Sequence, residues 1–351
     1  MNVTLVSARN LDSTLVRVWR EIQFTNPELA NPFFAPEFTQ IVAAAAENVE
    51  VAVIGEGSSP LAIFPFQRMG GRLGVPVGEF LSDYQGLICR PGFACDAREL
   101  VRQCGLDEWR FDHLLATQEC FRRFHHKREP SPQMDLSRGY AAYVAERRAS
   151  GSEQIKKCAN LMRRMEREIG PLRFVAHSDD AGLMQQTLTW KSQQYIETGS
   201  PDILALGWVR SVVEQIYAMQ SEDFSGMSSL LFAGDRLVAG HLGMRSRSVW
   251  HYHLPAYDKT MAKYSPGLIL LLKMAEKAPE LGLRTIDLGK GMSLYKERLM
   301  NSTVTLAVGS VEMPSLGSFC RAVNRKLRTA VKNSPFGNPA RRLARWIRQG
   351  L

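Results

Sequence analysis

No apolar run in the 351-residue sequence approaches the roughly 20 residues that a membrane-spanning helix needs. The first ten residues have neither a charged leader nor an apolar signal core, so export is not expected. Cysteine is sparse and scattered: Cys89, Cys95, Cys104, Cys120, Cys158 and Cys320, with no Cys-x-x-Cys pair. That pattern suits reduced thiols in a cytoplasm better than a disulfide framework or a zinc site. No Gly-x-Ser-x-Gly elbow is present, which excludes the usual serine hydrolase. The glycines from Gly282 to Gly291 lack the Gly-Lys-Ser/Thr ending of a phosphate loop, so a P-loop is excluded too.

The last absence is acidic. From Met313 to Leu351 there are nine Arg or Lys and no Asp or Glu, although the chain holds 44 basic and 35 acidic residues. Residues 1–312 therefore carry 35 of each sign, and the net charge of +9 belongs to the tail. A body without a basic face makes nucleic acid an unexpected partner. The tail reads as two short basic helices, one presenting Phe319, Val323, Leu327 and Val331, the other Leu343, Trp346 and Ile347. Basic amphipathic helices with a Trp suit peripheral contact with an anionic membrane. Packing back on an acidic patch, or remaining unfolded, is the alternative.

Length fits two domains of ordinary size, and 45% hydrophobic with 23% charged residues is a globular composition. Periodicity predicts a strand at Val3–Val6, helices over Leu11–Phe24 and Phe34–Glu47, and a hairpin of Val49–Ile54 with Leu61–Gln67. A helix over Asp96–Cys104 and a strand over Trp109–Ala116 follow; Phe121–Arg138, polar with two prolines, reads as a connection. Tyr140–Ile169 reads as one long helical stretch with Ile155, Cys158, Met162, Met165 and Ile169 on a seam. The order then repeats: a strand at Arg173–Ala176, helices over Ala181–Glu197 and Gly207–Gln220, and a hairpin about Gly234-Asp235. A strand at Ser248–Leu254, a helix from Ser265 and a strand at Arg284–Leu288 complete it, with a last strand ending by Val311. Two α/β domains of similar plan, 1–139 and 140–312, followed by the tail 313–351, are expected.

The stretch from Trp250 to Lys296 organises the second half as strand, loop, helix, strand and glycine turn. Ser265 is expected to cap the helix, Pro266 suits its first position, and Gly267 lets a ligand approach the backbone. Amides at such a helix start, with Lys259 and Lys263 just upstream, make an anion site suited to a diphosphate. An ordinary, well-capped βαβ crossover accounts for the same residues. His251 and His253 lie two apart on a strand and share a face, but no third ligand is near, so no metal is expected and an acceptor-pocket wall is the better use.

Tyr264-Ser265-Pro266-Gly267, then Ile286-Asp287-Leu288-Gly289-Lys290-Gly291 and Tyr295-Lys296, resemble the GNAT-type acetyltransferases of the CelD/BcsL group. Those proteins are associated with cellulose and exopolysaccharide biosynthesis and are related to the FemABX transferases. Asn31-Pro32-Phe33-Phe34, Ser82-Asp83-Tyr84-Gln85-Gly86 and Arg163-Arg164-Met165-Glu166-Arg167-Glu168 agree, so the likeness runs from about Pro32 to Val311. After Gly291 the family commonly has an acid, where this chain has Met292-Ser293.

The resemblance implies tandem GNAT-like domains with mixed central sheets flanked by helices. It also implies acyl-coenzyme A, such as acetyl-coenzyme A, as co-substrate of an N-acyltransferase. Lys263, Tyr264, Ser265, Pro266, Gly267 and Leu268 would bind the donor. Tyr295 is the expected acid for the leaving thiolate, and Lys296 the partner of phosphate or oxyanion. Asp258 and Asp287 are expected as bases or amine contacts. Asp83, Tyr84, Gln85 and His253 would meet the acceptor, an amino-sugar amine, free or lipid-linked. The rivals are a FemABX-like aminoacyl transferase and a non-catalytic assembly protein of a polysaccharide synthase complex.

Overall fold

The computed structural model describes residues 2–56 and 59–314. The basic segments expected between Phe319 and Ile347 lie outside these residues. The first half of the chain gives β1 (Val3–Ser7), α1 (Ser13–Thr25), α2 (Pro36–Ala45), β2 (Val49–Glu56), β3 (Ser59–Met69), β4 (Leu73–Val75), β5 (Ile88–Cys89), α3 (Ala97–Gln103), β6 (Glu108–Leu115) and β7 (His125–Asp135). The second half begins with α4 (Tyr140–Ala149), α5 (Gln154–Glu168), β8 (Leu172–Val175), α6 (Ala181–Glu197) and α7 (Gly207–Ala218). It continues with β9 (Ser225–Ala233), β10 (Arg236–Arg245), β11 (Val249–Tyr257), α8 (Pro266–Lys277), β12 (Thr285–Asp287), α9 (Leu294–Leu299) and β13 (Ser302–Glu312). No described helix is long and apolar enough to cross a membrane.

Local chemistry explains the helices. Asp12 caps α1 by accepting from the Leu15 amide at 2.8 Å, and Trp19 and Ile22 form its buried face. Asp180 caps α6 through the Gly182 and Leu183 amides at 2.8 and 3.0 Å. Two expectations change. The stretch from Tyr140 breaks into α4 and α5 at Gly151, whose φ of +80° a helix interior does not permit. The segment read as a connection is the eleven-residue strand β7. Its polar residues and prolines hide the pattern, but Pro130 and Pro132 keep their carbonyls, which accept from Gly291 and Leu288 at 3.0 Å each.

The expected α/β class, with a mixed sheet flanked by helices, is the one formed. The sheets of the two halves are joined in the order β1-β2-β3-β4-β6-β13-β7-β12-β11-β10-β9-β8, with β5 on the side against β3. β7 reaches across to β12, and the late strand β13 inserts between β6 and β7. One face carries a core shared by both halves: Trp19, Phe33 and Phe38 pack in the same cluster as Leu188, Val213 and Met244. The opposite face packs α3 over Phe64, Trp109 and Phe121, and α4, α5 and α8 over Met134, Trp250 and Ile286.

Candidate active site

β11 and β12 are parallel, and their pairing covers only Val249–His251 against Thr285–Asp287. Past Asp287 the chain turns through Gly289 and Gly291, at φ +76° and +88°, and its amides bond to β7. β11 runs on to Tyr257, so the two strands part at their carboxyl ends, where open α/β sheets bind ligands. β11 is also bulged: Leu254 pairs with Leu242 and His251 with Met244, so two residues of β11 oppose Gly243. His241 fills the irregularity. Its Nε2 lies 3.2 Å from both the His253 amide and the His251 carbonyl oxygen, and its Nδ1 faces Ser229 Oγ at 3.4 Å. Burial holds this imidazole near a pKa of about 3, hence neutral. A Cβ on Gly243 would stand 2.6 Å from His241 Nε2, so only glycine permits the fit.

Beside the parting strands lies a network across both halves. Asp83 Oδ2 meets His251 Nε2 at 2.9 Å. His251 Nδ1 is 3.4 Å from Asp287 Oδ1, near enough for charge attraction but outside hydrogen-bond geometry. Asp287 is otherwise fully engaged: the Tyr84 hydroxyl and Gln133 Nε2 donate to Oδ2, the latter at 2.8 Å, and the Gly289 amide donates to Oδ1 at 2.8 Å. Burial disfavours charge on His251, yet the flanking carboxylates outweigh it and raise its pKa to about 9. Burial likewise pushes Asp83 and Asp287 upward, but the imidazolium wins and both stand below the usual carboxylate range. Tyr84 moves well upward through burial and the Asp287 charge.

Access separates these groups. His251 and Asp287 side chains are wholly covered, whereas 24% of Asp83 remains open. Asp83 is thus the reachable end of a charged network whose inner members, His251 and Asp287, are buried behind it. His253, also half-buried, stands beside it, its ring 5.6 Å from that of His251 and 5.9 Å from Phe33. Burial lowers its pKa to about 4, leaving it neutral at pH 7. Tyr84 and Gln85 are each only 3% exposed and face inward. The Gln85 amide is used up between Ser82, Asp112 and His113, tying the Asp83 segment to β6.

Lys296 and Tyr295 sit on α9 rather than in the turn after β12. Lys296 Nζ donates to the Gly289 and Lys290 carbonyls at 2.9 and 3.3 Å; burial lowers its pKa, and Asp83 and Asp287 pull the other way. A Cβ on Gly289 would lie 3.3 Å from Asp83 Oδ2 and 3.9 Å from Lys296 Nζ, so this glycine lets the two halves meet. Tyr295 is half-buried against the α8 core, which raises its pKa. Asp258 lies at the far end of β11, bonded to the Thr260 amide at 2.9 Å and paired with Arg236 at 2.5 Å.

At the start of α8 the expected cap is not made. Ser265, which directly follows a 3-10 turn over Lys259–Tyr264, adopts a left-handed conformation (φ 52°, ψ 53°) in place of the extended one of a capping residue, and its hydroxyl caps no amide. Gly267 is half-buried, and a Cβ there would meet only the Tyr257 ring at 3.5 Å. Pro266 is buried and Leu268 packs on the core. Tyr264 is buried too, its hydroxyl donating to Glu168 of α5 at 2.7 Å, and exposed Lys263 stands 3.5 Å from the same carboxylate. Arg164 completes this group, bonded to Glu168 at 2.9 Å. Among the described residues no group of three His, Cys, Asp or Glu could hold a metal ion.

The sequence reading passed over Gln133 and Lys191, and gave His251 only as half of a histidine pair on one strand face. For Lys191 a signal exists, since a lysine continues the buried stripe of Met184, Thr187 and Leu188 on α6. For His251 and Gln133 the contacts are all long-range.

Residues 152–297 match the family described as Acetyltransferase (GNAT) domain. No curated protein matches the chain in sequence. Several solved structures share its fold. FemX superposes with a TM-score of 0.59 at 10% identity, over 92% of this chain and 100% of its own. The C-terminal DUF2156 domain of an Agrobacterium fabrum protein described as a lysylphosphatidylglycerol synthetase gives 0.53 at 10% identity, over 92% and 97%. A conserved Bacteroides thetaiotaomicron protein of unknown function gives 0.51 at 10%, over 88% and 100%. The second half of the chain thus carries the match to a GNAT domain, and the chain over most of its length shares the fold of FemX.

Proposed function

We propose that the protein is an N-acyltransferase that moves an acyl group, in the first instance acetyl, from coenzyme A to an amine. The observation that carries this is the open Asp83 carboxylate, held by buried His251 and Asp287 at the carboxyl ends of two parting parallel strands. The donor's diphosphate lies at the start of α8, near Gly267 and Lys263, and its pantetheine runs along the unpaired edge of β11. The thioester then enters the gap between β11 and β12 from one face of the sheet, and the amine reaches it from the other.

Asp83 accepts a hydrogen bond from the amine and aims its lone pair. The amine nitrogen bonds to the thioester carbon, and the C–S bond breaks as the intermediate collapses. Asp83 is a weak base while paired with His251, so neutral His253 beside it receives the proton shed by the attacking nitrogen. Lys296 offsets charge developing on the carbonyl oxygen, and the Tyr295 hydroxyl protonates the departing thiolate. Asp287 acts through His251 and does not touch substrate.

The acceptor class follows the CelD/BcsL resemblance: an amino-sugar amine, free or lipid-linked, in exopolysaccharide or envelope synthesis. The work would be done in the cytoplasm, with the tail as a peripheral address at the inner membrane face. The fold shared with FemX supports aminoacyl transfer from tRNA as a second reading, against which the charge balance of residues 1–312 weighs.

Thermal melting with acetyl-coenzyme A, longer acyl esters and aminoacyl-tRNA separates the readings. A donor at a hundred times its Kd stabilises the fold by about 2.7 kcal/mol. A shift with acyl-coenzyme A is expected; a shift with aminoacyl-tRNA alone would replace the first reading by the second.

A further inference from the structure

Acyl transfer by Asp83, His253, Lys296 and Tyr295 leaves one proton without a taker. An amine of ordinary basicity is chiefly an ammonium at pH 7, and its nitrogen has no lone pair until a proton is lost. The proton that His253 receives is a later one, shed during attack. The two oxygens of Asp83 have different neighbours. Oδ2 is taken by His251 at 2.9 Å, whereas Oδ1 faces His113 Nε2 at 3.5 Å.

His113 stands on β6, to which the loop bearing Asp83 is laced. Gln85 Oε1 accepts from the Asp112 and His113 amides at 2.9 Å each, and the Gln85 amide donates to the His113 carbonyl at 3.0 Å. Asp112 Oδ1 accepts from Gln85 Nε2 at 2.7 Å and lies 2.9 Å from His113 Nδ1. Burial pushes the Asp112 carboxyl up, but His113, Gln85 and Lys290 outweigh it and hold it below the usual carboxylate range. An ionised carboxylate only accepts, so Nδ1 carries the ring proton and neutral His113 keeps its lone pair on Nε2. Across the 3.5 Å to Asp83 two acceptors then face each other, with no donor between them. The charged groups about the ring are Asp83, Asp112 and Lys290, whose Nζ donates to the Asp112 carbonyl at 2.5 Å and stands 3.6 Å from Glu129 of β7. The His113 side chain is 12% exposed and that of Asp112 51%, so the way to water runs past Asp112.

We propose that His113 is the base that turns the bound ammonium into the attacking amine. The ammonium donates one N–H to Asp83 and a second to His113 Nε2, which takes that proton and leaves the nitrogen its lone pair. The imidazolium so formed lies between the Asp83 and Asp112 carboxylates, which stabilise its charge, and it releases the proton to water past Asp112. The protons balance. Attack sheds a second proton to His253, Tyr295 gives one to the thiolate, and transfer from His253 to Tyr295 resets both. One proton per amide leaves the protein, and it is the one His113 took.

This rests on the acyl-transfer reading, and the test keeps the two apart. Acetylation of glucosamine, ethanolamine and lysine by acetyl-coenzyme A is measured at pH 7 and pH 9 with the full chain, His113→Gln and His113→Ala. For each amine that the parent acetylates, kcat/KM of His113→Gln should fall at least about 10-fold at pH 7, and further the more basic the amine. The loss should shrink at pH 9, where more of the free amine is already neutral. Added imidazole should restore His113→Ala, and pyrazole, of the same shape but hardly basic, should not. The melting shift with acetyl-coenzyme A should be the same in all three proteins, since the α8 start is separate. Activity within a factor of two of the parent, equal losses at both pH values, or rescue by pyrazole as good as by imidazole would overturn the proposal and leave acyl transfer intact. Loss of the melting shift in both variants would make His113 a structural residue and likewise remove the role. If the parent acetylates none of the amines, the acyl-transfer reading itself falls and the role of His113 with it.

Discussion

Asp83 and His251, 168 residues apart in sequence, meet at 2.9 Å where the two halves of the sheet join. Neither residue could hold its charge alone in that position. With Asp287 behind it, His251 as imidazolium stands between two carboxylates, leaving the trio one negative charge that Lys296 is placed to offset. The contact makes a loop of the first half part of a site on the second.

This trio gives stability a pH signature. His251 titrates ordinarily at 6.5 and in the fold at about 9, so its contribution is complete below pH 6.5 and lost as pH rises through 9. Asp83 and Asp287 are depressed, so theirs is present above 3.8 and lost only as pH falls through their folded values. Urea midpoints should therefore decline between pH 6.5 and 9 in the parent and more weakly in His251→Gln, which has no proton to lose. Parallel profiles would remove the charged imidazolium.

Asp83→Asn keeps the shape of the side chain and removes its charge. We expect kcat/KM to fall by about 10² to 10³, the range seen when one preorganised polar group at a reacting centre is lost. Donor affinity should be kept, since the α8 start is separate. Activity within a factor of two would displace Asp83 from the amine.

Tyr295→Phe removes only a hydroxyl from a half-buried ring on α9. Donor binding should persist while turnover drops by about 10² to 10⁴, the usual worth of a general acid. Turnover should recover with a donor whose thiol leaves more readily. Absence of that recovery, or no loss at all, would speak against thiolate protonation.

Gly267→Val tests the donor site with little risk to folding, because an added Cβ meets only Tyr257, at an ordinary 3.5 Å. The melting temperature without ligand should stay within a few degrees, and the shift caused by acetyl-coenzyme A should vanish. A preserved shift would move the diphosphate elsewhere.

Deleting Ser318–Leu351 removes the basic excess and leaves β13, which ends at Glu312, in place. The shortened protein should fold and bind donor. It should also pellet less with anionic vesicles at low salt, each Lys or Arg near such a surface being worth about 1 kcal/mol. Equal pelleting of the two forms would end the membrane reading.

Local rules were enough for much of the fold. Asp12 and Asp180 announce α1 and α6, and alternating apolar residues announce the β2–β3 and β9–β10 hairpins. The stretch from Trp250 to Lys296 likewise declared strand, helix and strand, because periodicity, a proline at the first helical position and glycine turns act within a few residues. Asp83, Tyr295 and Lys296 were legible as polar residues near turns, through the motifs they stand in, and His253 as one of two histidines sharing a strand face.

What tertiary structure alone decided is which of them face one another. β7 was hidden because its prolines and charges oppose strand propensity, and only pairing with β12 and β13 overrides it. His251 looked like half of a histidine pair until Asp83 and Asp287 closed on it from different parts of the chain. Burial separated Asp83 from Tyr84 and Gln85, three polar neighbours that one motif offers together. Desolvation and charge pairing depend on distances through space, and those are fixed only when the two halves dock.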